Sequence, residues 1–378
     1  MKSVAIIAEY NPFHNGHQYQ ATTAKSLAHA DVTIAIMSGQ FVMRGEPAIY
    51  NKFHRTLMAL SEVDLVAEMP IHATLSGGEY FANTGVQIAR YLDVNSLSFG
   101  AESDDITQFT TLAEQLNTSN YREQLISKVK EGKSYARGLA EIFPNEPLLS
   151  SPNNTLGLSY VRAILQQNAG IEPLPIRRLG NAHHDTQIHE KQFASGTAIR
   201  QALQDQNAEW RKVVPYRIQD LYTEPSFNLD DIFPYLKYVI IARDKNDLKH
   251  IYGMTEGIES RLKTYIGQAH SYEEFIQLIK TKRYTRTHLQ RLLMNVLLNI
   301  KTCDVTHDDV TGVRILGMTE HGRRYLKHLQ TLYPERNFVT NVTKKSAPLF
   351  KNEIKATTIF NFFSGNDQTD FNTPVIRR

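Results

Sequence analysis

The sequence predicts an α/β fold: a doubly wound parallel sheet over residues 1–205, followed by a mainly helical, basic region over residues 206–378. Two observations carry the sheet. Short runs rich in Val, Ile and Leu recur without polar alternation, the pattern of strands buried on both faces. Helix-length stretches separate them, and strict alternation of this kind gives a parallel sheet with right-handed crossovers and ligands at the carboxyl ends of its strands. The third observation is charge: residues 1–200 carry a net −3, residues 201–378 a net +6, and the last 99 residues a net +9.

Taken in order, Ser3–Ala8, Val32–Met37, Val63–Ala67 and Ser96–Phe99 are the first four strands, with helices expected over His17–His29, Pro47–Ser61 and Glu79–Tyr91 between them. From Asp105 to Ala140 the pattern is helical and polar, and Pro144, Pro147 and Pro152 punctuate a loop. A further strand is expected over Glu172–Arg178 and a further helix from Ser195. Pro215, Pro225 and Pro234 interrupt the periodicity and mark the change of domain. Beyond them Tyr235–Asp244, Ile258–Ala269, Tyr272–Ile279 and Thr287–Ile300 read as helices.

Composition narrows the classes. A 41% hydrophobic, 10% aromatic chain is an ordinary globular mixture, and it holds no apolar run long enough to span a bilayer. With no signal-like segment after Met1, a cytoplasmic protein is expected. Cys303 is the single cysteine, so an intrachain disulfide is excluded, and no Cys/His cluster has zinc spacing. The basic C-terminal third suits a polyanion, although a solvated basic face explains the charge equally well.

The strongest local signal is Asn11-Pro12-Phe13-His14-Asn15-Gly16-His17, directly after the first strand and before the first helix. A helix N-terminus there offers unpaired amides and a positive dipole end to a phosphate. Gly16 lets the backbone come close, and His14 and His17 are placed to donate to phosphate oxygens as charge builds at the α-phosphorus. A second element, Ser195-Gly196-Thr197-Ala198-Ile199-Arg200, pairs an N-cap serine with Thr197 for a phosphate contact and Arg200 for the β and γ groups. The loop Ser38–Glu46 ends the second strand at the same sheet edge, where Arg44 can meet a small anionic substrate. Ser151–Gly157 opens a helix that can touch ribose or base, and Arg177-Arg178 with His183-His184-Asp185 suits phosphate better than a metal, since no third ligand stands at a suitable spacing. Lys282, Arg283, Arg286 and Arg291 surround Tyr284, a mixture suited to RNA phosphates and to stacking on a base; three of these cations are spaced to share one side of a continuous helix.

Seven blocks in this order, AEYNPFHNGH, MSGQFVMRGEPAI, SPNNTLGLSY, RRLGNAHHD, FASGTAIRQAL, TEGIESRL and TKRYTRTHLQRLL, resemble the bacterial tRNA(Met) cytidine acetate ligase family of the HIGH-type nucleotidyltransferase superfamily. The resemblance implies a nucleotidyltransferase-like Rossmann domain. It also implies a reaction in which ATP and acetate give acetyl-adenylate and pyrophosphate, and the acetyl group passes to N4 of the wobble cytidine of elongator tRNA(Met). By it, ATP contacts fall on Ile7-Ala8-Glu9-Tyr10-Asn11-Pro12-Phe13-His14-Asn15-Gly16-His17-Gln18-Tyr19-Gln20, Gly100, Asn153, Arg177 and Arg178, with Mg²⁺ carried by the triphosphate. Two positions depart from the family pattern: Asn51 precedes Lys52 where relatives have Asp, and His288 stands where relatives have Arg. The competing readings are a pantetheine-phosphate or nicotinamide-mononucleotide type adenylyltransferase, and a non-catalytic RNA-binding protein with a nucleotide switch. Neither enzyme of the first kind needs the residues beyond 205.

Overall fold

A computed structural model describes residues 1–131, 133, 135–179, 188, 192–225, 227–255, 257–281, 284–306 and 309–378. Strand β1 (Ser3–Ala8) passes through the His-rich loop into helix α1 (Asn15–Leu27) and returns as β2 (Val32–Ser38). A small antiparallel hairpin, β3 (Phe41–Val42) and β4 (Glu46–Pro47), precedes α2 (Lys52–Ala59) and β5 (Leu65–Met69). Helices α3 (Ile71–Thr74) and α4 (Gly78–Tyr91) lead to β6 (Ser96–Ala101). Helices α5 (Ile106–Asn117), α6 (Ser119–Lys130), α7 (Tyr135–Ile142) and α8 (Pro152–Gln166) lead to β7 (Glu172–Arg177) and α9 (Gly196–Gln204). A helical stretch follows: α10 (Leu229–Ala242), α11 (Lys245–Lys249), α12 (Ile258–Tyr265), α13 (Tyr272–Ile279) and α14 (Arg286–Leu298). The chain ends with β8 (Gly312–Met318), α15 (Glu320–Leu332), β9 (Asn337–Val339), α16 (Lys351–Ser364) and β10 (Ile376–Arg377).

The sheet order is β10-β8-β5-β2-β1-β6-β7, with β9 beside β8. From β5 to β7 every pairing is parallel, as the buried apolar runs require. The chain winds outward from β1 through β2 to β5, then crosses to the other side of β1 as β6 and β7. That reversal puts a topological switch point between β1 and β6, where a doubly wound sheet opens a crevice at its carboxyl edge. Ile34, Ala35, Ile36 and Met37 of β2 are fully buried because helices cover both faces. One face packs on α4, α5 and α8; the other packs on α1, α2 and α9.

Three features differ from the sequence-based expectations. The sheet is not wholly parallel, because β8 pairs antiparallel with β5 and draws the C-terminal residues into the first layer. Arg314 hides that strand in the sequence: its charge breaks the apolar run, yet it is buried and donates to the Val339 and Thr340 carbonyls. The expected helix at Pro47 begins at Lys52, since Glu46 and Pro47 form β4 and Asn51 caps the helix through the His54 amide at 2.8 Å. Finally, Trp210, Val213, Ile218 and Tyr222 pack with Phe13 and Tyr50 in the sheet's own core, whereas Ile232, Leu236 and Ile240 of α10 belong to the helical cluster. The change of packing therefore falls between Thr223 and Leu229, beyond residue 205 and within the stretch that Pro215, Pro225 and Pro234 punctuate.

Candidate active site

The His-rich loop is built by its own side chains. His14 is the N-cap of α1, its Nδ1 accepting from the Gly16 amide at 3.1 Å; the Nδ1 of His17 accepts from the His14 amide at 3.2 Å. This reciprocal capping box satisfies two helix-start amides. It also fixes the tautomer: with both Nδ1 atoms accepting, the ring proton of each neutral histidine sits on Nε2. The rings stack at 3.7 Å, and Tyr10 and Phe13 meet His17 edge-on at 4.8 Å and tilted at 5.5 Å. Two Nε2–H donors are thus held in fixed rotamers at the positive end of a helix.

Asn11 ties three segments together. Its Oδ1 accepts from the Ile49 amide at 2.9 Å, and its carbonyl accepts from Arg200 Nη1 at 2.8 Å. Gly196 sits so close that a Cβ would lie 3.1 Å from that carbonyl. Ser195 caps α9 through the Ala198 amide at 3.0 Å, as its sequence position suggests. Thr197 Oγ1 receives Arg200 Nη2 at 3.2 Å and Arg44 Nη1 at 3.4 Å. Arg44, Thr197 and Arg200, far apart in sequence, therefore converge, and Glu46 lies 3.7 Å from Arg200. Two guanidiniums beside one hydroxyl form a donor set suited to a carboxylate or a phosphate.

A cleft at the switch point between β1 and β6 is lined by His14, Gly16, His17, Gln20, Gly100 and Arg178. Arg178 continues from β7, its amide bonded to the Ala101 carbonyl at 2.9 Å and its stem lying over Gly100. Asn153 donates to Glu102 at 2.6 Å, and Asn154 Oδ1 accepts from the Glu102 amide at 2.8 Å, so the start of α8 is fastened to the end of β6. Burial works to raise the Glu102 carboxyl, but hydrogen bonds from Ser151 and Asn153 and the Arg178 charge bring it below its usual value. His183, His184 and Asp185 lie outside the described residues, as do Lys282 and Arg283. Among the described residues no cluster of His, Cys, Asp and Glu is arranged to hold a metal, and no helix is long and apolar enough to cross a membrane.

Sequence reasoning missed two supports of the site. Arg55 is fully buried and donates to the Tyr50 carbonyl at 3.0 Å, the Glu9 carbonyl at 2.5 Å and the Gly39 carbonyl, pinning the ends of β1 and β2 together. Burial pulls its guanidinium down to about 10, against the pull of Glu9 and Glu68. Glu9 accepts from the Met43 amide at 2.5 Å. Burial raises its carboxyl, with the Met43 hydrogen bond opposing and Glu46 adding to the rise. Lys52 is also buried, between Glu68 at 2.8 Å and Asp370 at 2.8 Å. A cationic residue in an amphipathic helix pattern reads as exposed, and only its partners in the fold reveal otherwise.

Of the three cations expected to share one side of a helix, Arg283 lies outside the described residues, and only Arg286 and Arg291 can be placed. Helix α14 begins only at Arg286, and Arg286 and Arg291, five residues apart, diverge around it. Arg286 pairs bidentately with Glu273, while Arg291 reaches toward the β3–β4 hairpin and donates to the Met43 carbonyl at 3.2 Å. Gly45 (φ +80°) rests directly on this helix, where a Cβ would fall 2.2 Å from the Arg291 amide nitrogen.

A strand-loop-helix at a switch point, with two ring donors on a helix N-terminus, defines a nucleotide-binding site of the nucleotidyltransferase class. The chain belongs to the HIGH Nucleotidyl Transferase family, whose model matches residues 1–373, and within it to the tRNA(Met) cytidine acetate ligases. It is 54% identical over 378 residues, 100% of both chains, to the tRNA(Met) cytidine acetate ligases of Staphylococcus aureus strains JH9 and NCTC 8325. It is also similar to the crystal structures of Thermotoga maritima TmcAL, at 28% identity with 100% of each chain covered. The TM-score is 0.88 for the apo form and 0.85 for the form bound with alpha-thio ATP.

Proposed function

We propose that the protein is a tRNA(Met) cytidine acetate ligase, which activates acetate with ATP as acetyl-adenylate and transfers the acetyl group to N4 of the wobble cytidine of elongator tRNA(Met). The Arg44–Thr197–Arg200 cluster, tied by Arg200 to the Asn11 carbonyl just before the His14–His17 pair, carries the reading. ATP takes the cleft between His17, Gly100 and Arg178, with its base toward Asn153 and its α-phosphate between the histidines and the paired guanidiniums. Acetate lies against Arg44. The carboxylate attacks the α-phosphorus, and the Nε2–H donors stabilise the charge that develops there. Pyrophosphate leaves; Mg²⁺ would be held by the substrate phosphates more than by the protein and would offset their charge.

Adenylation turns a poor acyl donor into a good one, and a site sheltered from water keeps the mixed anhydride for the weakly nucleophilic N4 amine. The residues around Lys282, Arg283 and Arg286 receive the tRNA backbone, so the enzyme works in the cytosol with its substrate. A small-molecule adenylyltransferase would leave the helical cluster and its basic segment without a task. Pyrophosphate release that depends on both ATP and acetate, in the absence of tRNA, is the expected first reaction. Release with ATP and a phosphopantetheine or nicotinamide mononucleotide acceptor, and none with acetate, would overturn the assignment.

A further inference from the structure

A groove of about 430 Å³ opens beside the Arg44–Thr197–Arg200 cluster, with Arg200 in its lining. Glu46, Pro47, Ile49 and Arg200 line one wall, and Phe227 and Asn228, with the start of α10, line the other. The groove and the anion-binding cluster thus share Arg200, with Glu46 beside it. Pro47, Ile49, Phe227 and Leu229 give a mostly polar groove enough apolar surface for the face of a flat ring, and an unstacked base swung out of an RNA loop is such a ring.

Three carboxylates line the groove, and two are already engaged. Asp231 accepts from the Asn228 amide at 2.7 Å in the cap of α10, and Asp230 accepts from the Tyr272 amide at 2.8 Å. Glu46 differs: its nearest charged partner among the described residues, Arg200, is 3.7 Å away, beyond hydrogen-bond length, and its side chain is one-fifth exposed. It is held in place through its backbone by pairing with Val42. A carboxylate in this position can accept from an exocyclic amine, the pairing by which Asp and Glu read cytosine N4. Uracil offers O4 at the same place, an acceptor against an acceptor, and is disfavoured.

We infer that Glu46 reads the wobble cytidine by accepting a hydrogen bond from its N4 amine and takes the N4 proton as the acetyl group is transferred. The inference rests on the acetate-ligase reading and adds to it the residue that selects and deprotonates the acceptor. In the transfer step the N4 lone pair forms a bond to the acetyl carbonyl carbon, and the bond from that carbon to the phosphate oxygen breaks. AMP leaves with the electron pair. The proton lost from nitrogen passes to the Glu46 carboxylate and on to water, which restores the carboxylate. Arg200, between Glu46 and Thr197, faces the departing phosphate on one side and orients the carboxylate on the other.

The test supplies acetyl-adenylate directly to the full-length enzyme, follows single-turnover transfer to an anticodon stem-loop with a wobble cytidine, and compares binding of that stem-loop with binding of one that differs only in a wobble uridine, which has no amine to acetylate. Wild-type enzyme is expected to bind the cytidine stem-loop about tenfold or more tighter. In Glu46→Gln, transfer should fall by about 10²-fold and the preference for cytidine over uridine should collapse. Glu46→Asp should transfer slowly and keep the preference. Thermal melting of both variants checks that the fold is intact. A Glu46→Gln enzyme that transfers within threefold of wild type, or keeps the cytidine preference, overturns the role of Glu46 alone. Wild-type enzyme that does not acetylate the cytidine stem-loop overturns the ligase reading, and the role of Glu46 with it.

Discussion

His14 has two separable tasks, one structural and one chemical. Its Nδ1 caps α1 and its ring lines the cleft, so His14→Ala removes both, whereas His14→Asn keeps an N-cap acceptor and removes only the ring. The expected result is a loss of about 10² to 10³ in acetate-dependent ATP–pyrophosphate exchange for both variants. His14→Ala alone should also lose stability, by about 1 kcal/mol. Equal melting of the two variants would contradict the capping role, and exchange near the wild-type rate in His14→Asn would remove the ring from the chemistry. Lys52 has a purely structural task. Glu68 and Asp370 are buried on either side of it, and burial pushes the Glu68 carboxyl up to about 7 despite the lysine charge. Lys52→Met strands two buried carboxyl groups, and chemical denaturation should register a loss of about 3 to 5 kcal/mol. A loss below about 1 kcal/mol would show that the cluster relaxes without its cation.

Among the elements, the hairpin of β3 and β4 carries Arg44 and Glu46 and leans on α14. Gly45 is required twice over, by its positive φ and by the approach of the α14 backbone. In Gly45→Ala either the hairpin or α14 must move, and the half-saturating acetate concentration should rise by about tenfold or more, on the principle that small misplacements of a positioned group cost up to about 10² in rate. Unchanged acetate saturation would separate the hairpin from acetate binding. The early strands, the His-rich loop and the start of α9 were legible in the sequence because local rules mark them: unbroken apolar runs, a loop between strand and helix, and a serine cap. What was not legible depends on partners remote in the chain. Strand β8 carries a buried arginine that only Asp370 and the carbonyls near Val339 accommodate. Arg291 reads as part of a basic face in the sequence, whereas in the fold α14 turns it onto the Met43 carbonyl.

Across the whole molecule, the nucleotide-binding sheet and the helical cluster meet at the hairpin, so the proposed acetate and tRNA sites are mechanically continuous. This divides the basic residues into two groups. Replacing Lys282, Arg283 and Arg286 with Ala, with Arg291 left in place, should weaken tRNA binding. The log-log salt slope should flatten by roughly 0.7 to 0.9 for each phosphate no longer neutralised, while tRNA-free exchange persists. Arg291→Ala should instead disturb exchange through Met43. Wild-type tRNA affinity and salt slope in the triple variant would place the RNA surface elsewhere.

The central claim is that one chain joins acetate to a tRNA cytidine, and the most direct measurement uses labelled acetate, ATP and total tRNA with the wild-type enzyme. After digestion to nucleosides, the account predicts label in N4-acetylcytidine alone, dependent on ATP and traceable to the anticodon loop of elongator tRNA(Met). Label that stays with a small-molecule product, or that reaches no tRNA while ATP is consumed, would contradict it.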